Sequence, residues 1–143
     1  MLRRYLPPPP LAAAAAGDVI TYINYKGDIL SFSVDVYVNP LVMMSDGRHK
    51  INLNYPVEDA IKTYLKNLPF NGEFDVQKFE AAILATEGVL KLKTNKVESK
   101  WIVAQGGDAD GYGLFQPIPV YKIPESGYFK VEDFKPLIIY KNL

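Results

Sequence analysis

The chain has 143 residues, of which 48% are hydrophobic, and its Lys+Arg and Asp+Glu counts are both 16. This is the size of one domain with enough apolar content for a core, and a formal charge of zero gives no electrostatic case for nucleic acid as a partner. The absence of cysteine excludes disulfides, thiolate metal sites and a cysteine nucleophile. No apolar run approaches the ~18 residues of a membrane span, so no membrane association is expected.

Residues 1–17 (MLRRYLPPPPLAAAAAG) are of low complexity. Arg3 and Arg4 before an alanine run resemble a signal peptide, but four prolines sit where its apolar helix would be. Pro7–Pro10 read better as a polyproline II spacer and Ala12–Ala16 as a tether, together an N-terminal arm. Residues 18–143 read as a single domain. Asp18–Ser33 has the pattern of a β-hairpin, with β-branched Val19–Ile23, a turn at Lys26-Gly27-Asp28 and a return through Ile29–Phe32. Val34–Val38 alternates cleanly, with Val34, Val36 and Val38 on one face and Asp35 and Tyr37 on the other. Asn39-Pro40 closes that strand. Leu41–Tyr55 reads as a short extended segment, with Ile51 and Leu53 alternating with polar neighbours.

A helix pair spans residues 56–88. Pro56 suits the first helical turn, where its missing N–H is no loss, and Glu58 and Asp59 follow where the helix dipole favours negative charge. Val57, Ala60, Ile61, Tyr64, Leu65 and Leu68 form one apolar face at a period of 3.6. Pro69 ends the helix, and Asn71-Gly72 makes the turn. Asp75 is placed to cap a second helix that buries Val76, Phe79 and Ile83. Gly88 is a left-handed terminus opening into a strand at Val89–Lys93.

Thr94–Lys100 is polar, and Trp101-Ile102-Val103 reads as a further short strand. Residues 104–143 are Pro/Gly-rich and extended. They comprise the loop Gln105–Gly113, then Pro117–Pro124, whose prolines suit an edge strand or arm, a turn at Glu125-Ser126-Gly127, and a last strand at Leu137–Tyr140.

No constellation in the sequence carries chemistry. His49, the sole histidine, sits in a polar run without a partner histidine and reads as a surface turn residue. Asp108-Ala109-Asp110-Gly111 begins like a calcium loop, but its twelfth position is Pro119 rather than a bidentate glutamate. The Gly106–Gly113 loop also lacks the GxxxxGKS/T and GxGxxG spacings that seat phosphates. Asp35, Glu58 and Asp59 could be imagined as a carboxylate cluster, but the latter two are explained as helix N-terminal charges. No catalytic residue, cofactor or metal is therefore expected. The alternative is a small enzyme, or a metal- or nucleotide-binding domain, using the Gly106–Gly113 loop; a third is a free-standing soluble binding module.

The order of strand (Ser33–Val38), helix (PVEDAIxxYL), turn, second helix (FDVxxFxxAI) and Glu87-Gly88-Val89 resembles the C-terminal module of baseplate J-like proteins. These are wedge proteins of phage contractile tails and related injection systems. Val57, Ala60, Ile61, Tyr64 and Leu65, then Phe79, Ile83, Gly88 and Val89, carry the resemblance, which covers Ser33 to Val89. It implies a non-enzymatic structural subunit of a virion, made in the bacterial cytoplasm and assembled with other tail proteins as a homo- or hetero-oligomer. The expected fold is α+β: a small, largely antiparallel sheet with the two helices on one face, plus the N-terminal arm. Extended segments need partners for their backbone groups. Met1–Leu11 and Pro117–Pro124 are therefore expected to make intersubunit contacts through Tyr5, Leu6, Ile118, Val120, Tyr121 and Ile123, burying on the order of 1,000 Å².

Overall fold

The computed structural model describes residues 26–142; the arm at 1–17 and the expected strand at Val19–Ile23 lie outside the described residues. The described chain runs β1 (Asp28–Val38), α1 (Pro56–Asn67), β2 (Phe74–Asp75), α2 (Val76–Leu84), β3 (Val89–Lys100), β4 (Gln116–Pro117), β5 (Tyr121–Lys122), β6 (Phe129–Lys130), a 3₁₀ turn (Lys135–Leu137) and β7 (Ile138–Asn142). The architecture is α+β.

β1 is the centre. Leu30, Phe32, Val34, Val36 and Val38 keep one unbroken period-2 phase and are all buried on the helix side. The two strands expected on either side of Ser33 are thus one. On one edge β1 pairs antiparallel with β3 over its whole length. On the other it pairs parallel with β6 at Asp28 and Ile29 and with β7 from Val34 to Val38. The sheet is therefore mixed: its long ladder is antiparallel, while the chain returns to β1 in the parallel sense at the end. The expected turn at Lys26-Gly27-Asp28 is corrected as well. Asp28 is fully buried and begins β1, whose edge there is already taken by β6.

β3 extends well beyond the expected Val89–Lys93. Register breaks against β1 set Leu90 and Asn95 out of the pairing, and each such bulge reverses which face the following residues take. Leu92 and Thr94 lie opposite Val36 and Val34, and beyond Asn95 it is Val97 and Ser99 that lie opposite Phe32 and Leu30. Trp101–Val103, expected as a strand, contributes only a single bridge, Ile102 to Tyr112.

The helices lie where the periodicity predicts. Pro56 opens α1, and Leu68 leaves it in an extended conformation before Pro69. Asp75 caps α2, its side chain accepting from Lys78 N at 3.1 Å. Val57, Ile61, Phe79 and Ile83 are fully buried, and Leu65 is half-buried at the edge of the core. Phe79 stands edge-on to Phe32 at 5.0 Å and tilted against Phe74 at 5.4 Å, tying α2 to β1 and β2. Gly88 has φ +89°, and a side chain there would meet Val42.

The segment Leu41–Tyr55 is not extended. It folds as successive turns around His49, which is buried rather than exposed. His49 Nδ1 accepts from the backbone N–H groups of Ile51 and Asn52, both at 3.1 Å, and Nε2 lies 3.2 Å from Glu87 Oε1. An acceptor at Nδ1 places the ring proton on Nε2, which donates to the carboxylate. With its backbone turned inward, Ile51 and Leu53 project into solvent.

Candidate interaction surface

The C-terminal segment is held in place by hydrogen bonds to distant parts of the chain. Asp28 Oδ2 accepts from Glu125 N at 2.8 Å and Oδ1 from Ser126 N at 3.0 Å, anchoring the Glu125–Gly127 turn on the start of β1. From there β5 pairs antiparallel with β2, Tyr121 opposite Asp75 and Lys122 opposite Phe74. Val76 N donates to Val120 O at 2.9 Å, and Asn71 N to Gly127 O at 2.8 Å. Lys122 is fixed between the Glu125 carboxylate at 2.7 Å and the Trp101 ring at 4.2 Å. The backbone of 117–124 thus finds partners within its own domain.

Its side chains divide. Ile118, expected at an interface, is instead in the core at 5% exposure, because Ile118 N donates to Val97 O and draws the residue under β3. Val120, Tyr121 and Ile123 project outward at 57%, 56% and 50% exposure. Tyr5 and Leu6 lie outside the described residues.

Two aromatic residues that the sequence reading passed over are exposed as well. Phe70, 73% exposed, lies over Gly127, and Tyr128 is also exposed. Together with Leu65, Leu68 and Pro124 they line a groove of about 230 Å³. The signal for Phe70 was present as a large aromatic side chain inside a Pro-Phe-Asn-Gly turn, where nothing local can bury it.

The remaining candidates are accounted for inside the fold. In the Gly106–Gly113 loop, Asp108 Oδ1 accepts from Asp110 N at 2.9 Å and Tyr112 N at 3.0 Å, while Lys100 lies 3.8 Å from Oδ2. The Tyr112 N–H foremost holds the Asp108 carboxyl below its ordinary pKa. The loop is closed by Val103 N to Gly111 O and Gly113 N to Trp101 O, both 2.9 Å. The Tyr112 hydroxyl donates to Gly27 O at 3.0 Å, so the loop clamps the entry to β1. The Gly106–Gly113 loop is thus a closed turn.

Asp35, Glu58 and Asp59 do not converge. Asp35 faces away from the helices, bound by Lys141 at 3.2 Å and Asn95 at 3.1 Å, and Lys141 foremost lowers its pKa. Asp59 accepts from Asn54 Nδ2 at 3.2 Å beside the start of α1. Glu58 lines a cleft of about 350 Å³ with Asp46, Tyr55, Lys135 and Tyr140, where burial raises the Tyr140 pKa. Among the described residues no group of three or more His, Cys, Asp or Glu is placed to hold a metal ion, and no helix is long and apolar enough to cross a membrane.

Comparison of the chain with models of protein families, with curated proteins and with solved structures returns no match.

Proposed function

We propose that this chain is a structural subunit of a phage virion, a component of the tail baseplate wedge, and that it works through protein–protein contacts rather than catalysis. The observation that carries the reading is the exposure of Val120, Tyr121 and Ile123, together with that of Phe70 and Tyr128, which line a groove with Pro124. Large apolar side chains held outward on paired backbone are what a neighbouring subunit would cover. The pattern shared with baseplate J-like proteins supports the same reading, because its residues do structural work. Val57, Ile61, Phe79 and Ile83 fill the core. The Tyr64 hydroxyl binds both backbone groups of Asp75, accepting from its N–H at 3.0 Å and donating to its carbonyl at 3.2 Å. This staples α1 to the entry of α2. The virion setting itself comes from that resemblance.

Hydrogen exchange on the isolated chain and on the assembled particle tests the proposal. Side-chain cover excludes water from the backbone beneath, so amides around 120–128 should slow in the particle, and Tyr121→Asp with Ile123→Asp should leave the monomer folded but absent from particles. Equal exchange in both states, or normal incorporation of the double variant, refutes it.

A further inference from the structure

Among the described residues the outer edge of β3 is unpaired along most of its length. β1 takes the inner edge from Val89 to Lys100. On the outer edge β4 reaches only Glu98 and Ser99, with one more bond from Ile118 N to Val97 O. From Val89 to Lys96 that edge has no ladder partner among the described residues. Backbone groups along such an edge are a template for another strand.

Among the side chains there, two lysines share the face away from the helices. The register places Lys91 beside Tyr37 and Lys93 beside Asp35, on the sheet face away from the helices. Lys141 is paired with Asp35 at 3.2 Å and Lys96 with Glu98 at 3.4 Å, whereas Lys91 and Lys93 are exposed and, among the described residues, have no carboxylate within 4 Å, although Lys93 still attracts Asp35 at longer range. They stand two residues apart on one strand, a separation of about 7 Å. A strand laid against the outer edge with acidic residues at alternate positions would set a carboxylate opposite each lysine. A second copy of the same edge would set lysine against lysine, and the chain's own arm carries Arg3 and Arg4. Charge therefore favours an acid-bearing strand over a second copy of this edge or the Arg3–Arg4 part of the arm.

We propose that the Val89–Lys96 edge receives an extended, acid-bearing segment of a partner protein by strand addition, with Lys91 and Lys93 selecting for carboxylates at alternate positions. This docking edge is separate from the exposed β5 side chains and does not depend on them. Lysines on an edge strand also deter unwanted strand pairing. The two roles are compatible, because the charge that rejects neutral or basic strands admits an acidic one.

The full chain is tested with a labelled, end-blocked peptide of about eight residues, the length of the open edge, alternating glutamate and threonine. A lysine–threonine counterpart and a single-stranded oligonucleotide serve as comparisons. Fluorescence anisotropy should show binding of the acidic peptide and not of the basic one, and amide exchange at 89–96 should slow on binding. K91E/K93E should weaken the acidic peptide about tenfold or more and turn preference to the basic one. K91Q/K93Q should fall between, and Tyr121→Asp should leave binding unchanged. Both lysines are exposed, so the variants should keep the parent's thermal midpoint, which is measured alongside. Acidic-peptide binding that ignores K91E/K93E, or that leaves the 89–96 amides unprotected, overturns the proposal. So does a peptide that fails to bind. Oligonucleotide binding lost in K91E/K93E, without amide protection by the peptide, would make this a general polyanion patch and likewise overturn it.

Discussion

Asp28 and Ser126 hold each other reciprocally. Asp28 Oδ1 accepts from Ser126 N at 3.0 Å, and Ser126 Oγ accepts from Asp28 N at 3.0 Å, across a sequence separation of 98 residues. The Ser126 hydroxyl then donates to Tyr128 O at 3.0 Å. This joint fixes the start of β1 to the Glu125–Gly127 turn. Hydrogen bonds to a charged acceptor are worth roughly 1.5–3 kcal/mol each, and orphaned N–H groups add to the loss. Asp28→Ala should therefore cost about 3 kcal/mol in urea unfolding. Asp28→Asn should cost less, and Ser126→Ala about 1 kcal/mol. Equal effects for all three would deny the carboxylate its central part.

The helix pair offers a graded comparison. Phe79 is fully buried against two aromatic rings, and Leu65 sits half-exposed at the rim of the groove. Phe79→Ala should cost roughly 3–5 kcal/mol as a full core truncation, and Leu65→Ala about 1–2 kcal/mol. Denaturation midpoints measure both, and the reverse order would place the core on the wrong side of α1.

Gly47 has φ +88°, and the Tyr140 ring lies directly where a side chain would go. Gly47→Ala meets both obstacles, and a loss on the order of 2–3 kcal/mol is expected. Adding Tyr140→Leu should recover the steric part but not the backbone part. A double-mutant cycle reads this as a coupling of opposite sign to the single losses. Strict additivity would show that the ring and the glycine do not communicate.

Asp35 supplies the pH dependence. Lys141 and Asn95 hold its folded pKa below the ordinary value of 3.8. A depressed carboxylate contributes stability that is fully present above the unfolded pKa and is lost as pH falls through the folded one. The gap in urea midpoint between the parent chain and Asp35→Asn should therefore be constant near neutrality and close in acid below about pH 4. A gap unchanged at low pH would mean that the carboxylate charge contributes nothing.

Much of this was legible in the sequence because it depends on neighbours within a turn or two. Pro56, Pro69, Asp75 and Gly88 bound the helix pair through local backbone rules, and the faces of α1 and α2 follow from spacing. The inward phase of Val34, Val36 and Val38 follows from alternation. Exposure at Val120, Tyr121 and Ile123 was foreseen, because a proline-punctuated strand has few ways to bury its side chains. β3 defeated the same reasoning. A bulge at Asn95 turns Val97 and Ser99 inward, and a bulge is chosen by the partner strand, not announced by the residues that carry it.

Tertiary structure alone decided the rest. Asp28 and His49 looked like turn residues because a lone polar side chain in a polar run has no local reason to be buried. Asp28 is buried where it gathers the backbone N–H groups of Glu125 and Ser126 from the far end of the chain, and His49 where its own turn supplies the N–H groups of Ile51 and Asn52 and distant Glu87 meets its Nε2. Ile118 was counted with its exposed neighbours until the edge of β3 drew it inward. The sequence by itself determined the helices, the phase of β1 and the apolar content of the C-terminal segment, all set by interactions over a few residues. Which lysines stand beside one open edge, and which aromatic residues share one groove, depended on strand pairings between distant parts of the chain. Those pairings are fixed only when the whole core closes.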